Sequence, residues 1–226
     1  RISANINQPL IEQLWDELVR DPLSAGLFCQ GKDMKQLLIS GAALALLAGC
    51  GGGGGGTSAF TALDSQGQAL FDEFIGAGYD ITPVGAIPAT NSATYAGVVG
   101  GTTFEAGTSN ATNELVGELE MTANFASDTL GGSITKIVDI DNQSYQGTLP
   151  LTAGTIDRLA NPATDFQLFG NFDGTLTTDA GSVDVFLDMV GDFVGPNAEG
   201  VFIGLEGVVD DGVFVDDFEG GGIAKR

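Results

Sequence analysis

From Leu115 to Phe125 the chain alternates with a period of two. Leu115, Gly117, Leu119, Met121, Ala123 and Phe125 fall on one side, and Glu118, Glu120, Thr122 and Asn124 on the other. That is the rhythm of an extended strand with one buried face. It returns where Phe166, Leu168, Phe172 and Leu176 alternate with Gln167, Asn171 and Asp173, and again where Val183, Val185, Leu187, Met189 and Phe193 alternate with Asp184, Asp188 and Asp192. Continued along the chain, the pattern predicts eight strands, over 93–100, 113–126, 130–140, 144–151, 165–177, 181–195, 199–209 and 212–223. Turn-forming stretches separate them, among them SDTLGG at 127–132, TTDAG at 177–181, GPNAEG at 195–200 and DDG at 210–212. Connections this short favour antiparallel neighbours, and no helix-length segment lies between the strands to carry a parallel crossover. Closing the sheet on itself removes both of its exposed edges. The expected fold is all-β, a single eight-stranded antiparallel up-and-down barrel over 93–226, with an irregular or short helical segment over 58–92 before it.

Two features refine the barrel. Gly117, Gly170, Gly174, Gly191, Gly204 and Gly207 lie inside strands, where glycine permits bends, bulges or close packing at the cost of local stability. The polar face carries Glu118, Glu120, Asp173, Asp184, Asp188 and Asp192, which does not suit the apolar outer belt of a membrane-spanning barrel. A water-soluble barrel is expected.

Ahead of the strands the pattern changes to an unbroken apolar run, LLISGAALALLAG, from Leu37 to Gly49. It falls short of the roughly 20 apolar residues that span a bilayer. Met34 and Lys35 precede it and no stop-transfer cluster follows, the order of an export signal over 34–49. Cys50 and six glycines, Gly51–Gly56, come next. Leu47, Ala48, Gly49 and Cys50 resemble the lipobox of bacterial lipoproteins. The resemblance implies a diacylglyceryl group on the Cys50 sulfur, cleavage just before that residue and acylation of the new amino terminus. Small residues at 48 and 49 let a peptidase approach the backbone, and a thiolate is what forms the thioether. A buried apolar helix with an incidental cysteine is the other use of such a run. With Cys50 lipidated, residues 50–57 read as the anchor and a glycine tether, six glycines reaching roughly 13 Å, and several acyl chains make the attachment durable. A signal of this kind acts at an amino terminus, so residues 1–33 are expected to be upstream sequence absent from the mature protein. Leu10, Ile11, Leu14, Trp15, Leu18 and Val19 nevertheless recur at helical spacing, which leaves a real amphipathic extension as the alternative.

Charge follows the same partition. Of 8 basic and 30 acidic residues, 4 basic and 25 acidic lie beyond Cys50, so the mature part carries 4 minus 25, or −21. The four cations are Lys136, Arg158, Lys225 and Arg226. Such a surface repels nucleic acid and anionic lipid headgroups, so the membrane is expected as a partner only through the lipid anchor. It suits a basic protein partner or divalent ions, or it serves solubility alone.

The residue inventory narrows the chemistry. There is no His, which leaves no Ser-His-Asp or Cys-His arrangement, and Cys50 is consumed by lipid. Asp210 with Asp211, and Asp216 with Asp217, are adjacent on strands or turns and point to opposite faces, so they read as solvated charges rather than acid–base pairs. No enzyme activity is expected. Two cysteines, Cys29 and Cys50, cannot assemble the usual zinc or copper ligand sets, and DIDNQ at 139–143 lacks the terminal Glu of a calcium loop. Haem could be held only through Tyr79, Tyr95, Tyr145 or a Met, all of which read as packing residues, so no cofactor beyond the lipid is expected. Phe104, Tyr145 and Phe214, at the ends of candidate strands, are the candidates for contact with a protein partner.

GDFVGPNAEGVFIGLEG, Gly191–Gly207, and the ending FEGGGIAKR, Phe218–Arg226, resemble the closing hairpins of the transferrin-binding protein B type barrel. The resemblance covers about residues 93–226. It implies an outer-membrane lipoprotein, surface-exposed or periplasm-facing, with an eight-stranded barrel, in a family some of whose members bind iron carriers or haem. Large members carry two lobes with handle domains, whereas this chain has room for one barrel. No ligand-contacting residue carries over. The expected function is capture or display of a solute, haem or a host or environmental protein by a monomeric cell-envelope lipoprotein; the alternative is a structural or adhesion module with no small ligand. A solvent-reachable interior cavity would favour the first, and a packed interior with an exposed apolar loop patch the second.

Overall fold

The computed structural model describes residues 57–76, 78, 80–161 and 163–226. Residues 1–56, which include Leu47, Ala48, Gly49 and Cys50, and Tyr79 lie outside the described residues. The described part begins with helix α1 (Ala59–Gly76) and a short 3-10 turn (Val84–Ala86). Nine strands follow: β1 (Ser92–Glu105), β2 (Ala111–Asn124), β3 (Thr129–Asp139), β4 (Ser144–Tyr145), β5 (Leu149–Ile156), β6 (Leu168–Thr178), β7 (Gly181–Val194), β8 (Gly200–Asp210) and β9 (Val215–Lys225).

All pairings are antiparallel between successive strands, except that β5 pairs with β3 past the two-residue β4, and β1 meets β9. Since β2 pairs with both β1 and β3, the sheet closes into an eight-stranded up-and-down barrel, β4 being a short addition to β3. The strand expected over 144–151 is therefore two pieces. Tyr145 pairs with Ile137, Gln146 exchanges backbone hydrogen bonds with Thr177, and Gly147 at φ 137° redirects the chain before β5 begins. At one end of the barrel, the first rim, lie the connections after β1, β3, β6 and β8. The opposite, second rim carries those after β2, β5 and β7, with the start of β1 and the end of β9.

The inward faces are the apolar ones the alternation marks. Leu119, Met121, Ala123 and Phe125 on β2 and beyond, Leu168, Phe172 and Leu176 on β6, and Val183, Val185, Leu187, Met189 and Phe193 on β7 all belong to one buried cluster. Tyr95–Phe193 and Phe125–Phe193 ring pairs, with centroids 6.0 and 5.7 Å apart, close it toward the second rim. Glycine does its work where strands nearly touch. A Cβ on Gly207 would lie 2.0 Å from the Phe186 carbonyl oxygen, and one on Gly97 would lie 1.9 Å from that of Ile223. On Gly204 it would meet only Val190 Cγ2, at 3.6 Å, an ordinary contact.

One stretch of the outer wall is apolar too. Val98, Val116, Phe202 and Ile223 face outward from β1, β2, β8 and β9, and all but the half-buried Phe202 are buried. The stripe Leu63, Gly67, Leu70 and Phe74, at helical spacing, gives α1 a face to cover that wall. Phe74 is fully buried, its ring 5.7 Å from that of Phe202 and inclined at 64°, while Phe71 meets Phe202 edge-on at 6.3 Å. At Gly67 the helix passes close to Val98, where an added Cβ would make an ordinary contact at 3.6 Å. Ser58 caps the helix, its Oγ accepting from the Thr61 N–H at 3.1 Å.

Leu187→Asp should cost at least about 3 kcal/mol by placing an unpaired charge inside the barrel. Its outward neighbour Asp188, opposite Glu206, should tolerate Asn within about 0.5 kcal/mol. Urea unfolding of the two variants checks the face assignment. By the same measurement Gly207→Ala should lose about 1–3 kcal/mol, because the neighbouring backbone must move, whereas Gly204→Ala should change stability by less than about 1 kcal/mol.

Candidate functional site

The barrel interior is filled by its own side chains. One void among them is apolar, about 40 Å³, lined by residues that include Leu115, Ile134, Ile137, Leu149, Leu205 and Phe218. A cavity that takes up benzene measures about 150 Å³, so this void is smaller than even that ligand requires. Tyr95 is spent on structure, its hydroxyl donating to the Ala198 carbonyl at 2.8 Å while burial pushes its pKa to about 12. Met121 and Met189 are enclosed in the core.

The rims carry the exposed chemistry. Topology brings Phe104, Tyr145 and Phe214 to the first rim, in three different roles. Phe104 is half-buried on the outer wall opposite Asp217. Tyr145 leans on the core, its hydroxyl 3.4 Å from Asn113 Nδ2, and burial followed by the Asp139 carboxylate raises its pKa. Phe214 stands out at the tip of the β8–β9 hairpin with 70% of its surface exposed, between Val213 at 77% and Val215 at 46%. Val213 and Val215 escape a search for aromatics alone, although three consecutive apolar residues in a polar turn are a visible signal.

The tip is held in shape by its carboxylates. Asp211 Oδ1 accepts the Phe214 and Val213 N–H groups at 2.7 and 2.8 Å, bonds that hold its pKa below the usual carboxylate range. Asp210 Oδ1 accepts from Gly212 N–H at 2.8 Å. The Asp216 carboxylate accepts from Thr112 Oγ1 at 2.7 Å and that of Asp217 from Gly107 N–H at 2.9 Å, which ties the β1–β2 hairpin to β9. In the 139–143 loop, buried Asp139 accepts from Gln143 N–H at 2.8 Å and Asn113 Nδ2 at 3.2 Å, and Asn142 Oδ1 accepts from Phe60 N–H at 3.2 Å. These oxygens already hold protein donors. Among the described residues no group of three or more Asp, Glu, Cys or His is placed to hold a metal ion.

The charged side chains of the first rim are all acidic. Glu105, Asp141, Asp179, Asp210, Asp211, Asp216 and Asp217 belong to the first rim or the strand ends beside it, with no basic side chain among them. Lys136 sits on the wall, its Nζ 2.8 Å from Glu118. Arg158, at the second rim, reaches Asp128 at 2.5 Å and the Pro88 and Phe125 carbonyls at 2.6 and 2.9 Å. Lys225, near the end of β9, pairs with Glu73.

A second polar centre departs from the sequence expectation. Gln167 and Asp192 fall on the outward side of the alternation, yet they are 0% and 3% exposed. The segment before β1 covers them: Ile81 bridges to Val194, and Thr82, itself buried, donates its hydroxyl to the Gly195 carbonyl at 2.5 Å. Gln167 Nε2 donates to the Thr82 carbonyl at 2.6 Å, its Oε1 accepts from Phe193 N–H at 3.0 Å, and its backbone N–H reaches Asp192 Oδ1 at 3.2 Å. Burial pushes the Asp192 pKa up to about 7, the Gln167 N–H opposing it. Period-two patterning carries no trace of a covered outer face.

No family model and no curated protein matches the chain. Among solved structures it is similar to the vaccine antigen transferrin binding protein B of Haemophilus parasuis, determined as a tryptophan-to-alanine mutant, with 17% sequence identity and a TM-score of 0.40. The match covers 65% of this chain and 29% of that one, so the chain spans under a third of the protein it matches. A likeness of that size carries no functional argument. The two motifs behind the resemblance form the β7–β8 turn with its flanking strands and most of β9, where the barrel closes on β1.

Because the folded pKa of Asp192, about 7, lies above its unfolded value near 3.8, the native state keeps a proton that the unfolded chain releases. Its contribution is therefore full below about pH 4 and declines as pH rises through about 7. Urea midpoints measured from pH 4 to 8 should show this decline in the wild type and a flatter profile in Asp192→Asn.

Proposed function

We propose that this protein is a lipid-anchored cell-envelope module, carrying a diacylglyceryl group on Cys50 after cleavage behind Gly49, whose barrel contacts a protein partner through its first rim. One observation carries the reading: apolar side chains pack the interior around a void of about 40 Å³, while Val213, Phe214 and Val215 are held out in water on a hydrogen-bonded tip. A solute carrier needs the reverse, an open interior and an unremarkable loop. Apolar side chains displayed among carboxylates match a partner with an apolar recess in a basic surround, where the aromatic supplies affinity and the charges speed the encounter. Of the two sequence-derived readings, these features favour the surface-contact module over capture of a solute or haem. The anchor at Cys50 is supported by the lipobox-like residues, the short apolar run and the glycines after it.

Protein purified from its own cells after growth on radiolabelled palmitate provides the test. The wild type should carry label, Cys50→Ser should carry none, and native mass spectrometry should return the lipidated chain without a retained small molecule. Label on the serine variant would sink the anchor; a bound haem-sized adduct would sink the surface-contact reading.

A further inference from the structure

We infer that the segment joining α1 to β1 is a pH-released strap, shut over the Asp192 carboxyl in acid and lifted at its Thr82 end as that carboxyl ionises, while the barrel beneath stays closed. This is independent of lipidation at Cys50. Over 80–91 the segment has one 3-10 turn and an isolated bridge from Ile81 to Val194, and it is fixed at two points. At the first, the N–H of buried Thr82 donates to the Phe193 carbonyl at 2.7 Å, and Gly195 N–H donates to the Asp80 carbonyl at 3.0 Å. The Thr82 hydroxyl on the Gly195 carbonyl and Gln167 Nε2 on the Thr82 carbonyl complete that anchor. At the second, Ile87 is buried in the apolar cluster of the barrel, and Arg158 donates to the Ile87 and Pro88 carbonyls at 3.3 and 2.6 Å. Between the anchors Pro83 and Gly85 are exposed, and Val84 and Ala86 are half-buried.

The anchors differ in chemistry. Ile87 is held by packing and by a guanidinium that stays charged at any ordinary pH. Thr82 lies over a carboxyl. Asp192 stands on the outward side of β7 opposite Phe202 of β8, 3% exposed, its Oδ1 accepting the Gln167 N–H at 3.2 Å. The acidic residues on the elements around it are Asp80 on the strap, Asp157 and Asp165 in the β5–β6 loop, Glu199 in the β7–β8 turn, Asp72 and Glu73 near the end of α1, and Asp188 on β7 itself. The cations are committed elsewhere: Arg158 to Asp128 and backbone carbonyls, Lys225 to Glu73, and Arg226 acts on Tyr95. None of these charges is a cause of the raised pKa of Asp192, which comes from burial, opposed by the Gln167 N–H.

A buried carboxylate without a cation has to be hydrated. β7 is laddered to β6 and β8 along its length, so the cover that yields is the strap, held at this end by the hydrogen bonds of one bridge and one side-chain pair. Shut, the carboxyl keeps its proton up to about pH 7; lifted and hydrated, it releases it near the ordinary 3.8. Opening therefore expels a proton between those values. The open fraction rises by up to about tenfold per pH unit from about pH 4 to 7 and levels off above. In acid α1 is fastened to the barrel through both anchors; near neutrality its connection runs through the Ile87 end alone.

Amide hydrogen exchange of the full chain, followed by mass spectrometry from pH 4 to 8 and corrected for the intrinsic rate, tests this. Peptides containing Thr82 or Gly195 should lose protection by about tenfold per pH unit up to about pH 7 and then level off. Peptides containing Phe172 or Leu187, in the barrel wall, should exchange at least about tenfold more slowly at each pH. Asp192→Asn keeps an acceptor oxygen but cannot ionise, and should remove the pH dependence at Thr82. Thr82→Val loses the hydroxyl bond to Gly195, and should raise strap exchange about two- to tenfold at each pH with the slope intact. Strap exchange that ignores pH, keeps its slope in Asp192→Asn, or runs in step with the barrel wall overturns the strap. So does a pH-dependent loss of protection at the end of α1 with none at Thr82.

Discussion

Pairing of β1 with β9, the first strand with the last, is the contact on which the rest depends, because it converts a row of hairpins into a closed ring. Without it the terminal strands would offer unpaired backbone groups to other chains. With it, eight strands set a circumference whose interior is just wide enough to be filled by side chains. Phe172, Leu119, Met121 and Met189 pack into that volume, beside an apolar void of about 40 Å³. Those inward side chains hold the fold together, while Val213, Phe214 and Val215 stand exposed at one rim.

The outer wall shows how a closed barrel handles apolar residues that face the wrong way. Val98, Val116, Phe202 and Ile223 would expose a greasy patch, and α1 covers it with Leu70, Phe71 and Phe74. The segment before β1 covers another stretch, and buries Asp192 and Gln167 with it. Burying that carboxyl opposes its ionisation, while the Gln167 and Thr82 bonds satisfy the polar atoms around it. Both coverings also give the molecule a direction, since the helix begins at one rim and ends at the other.

The carboxylates do two kinds of work. At the β8–β9 tip Asp210 and Asp211 accept loop N–H groups, which is what keeps Phe214 displayed instead of folded back. Along the wall they crowd one another. Glu219 faces Glu206 in register, and burial together with Glu206 and Asp217 raises its pKa. A row of like charges there costs stability, which the hydrophobic interior offsets.

The barrel was legible in the sequence because period two is a local property: each strand announces its buried face wherever side chains alternate, as at Leu115–Phe125 and Val183–Phe193. Strand number, antiparallel order and the acidic outer face followed from the same pattern and the turns between. Tertiary structure alone decided what covers the outside, since Gln167 and Asp192 look like any outward polar residue until Thr82 is laid across them. The strand expected over 144–151 broke for a similar reason, as Gln146 found a partner in distant Thr177. Phe104, Tyr145 and Phe214 were visible as aromatics near strand ends, but their different exposures depend on neighbours that are remote in sequence. Local periodicity determines which face of a strand is apolar; which of those faces ends in solvent is decided by long-range packing, which a one-dimensional pattern does not encode.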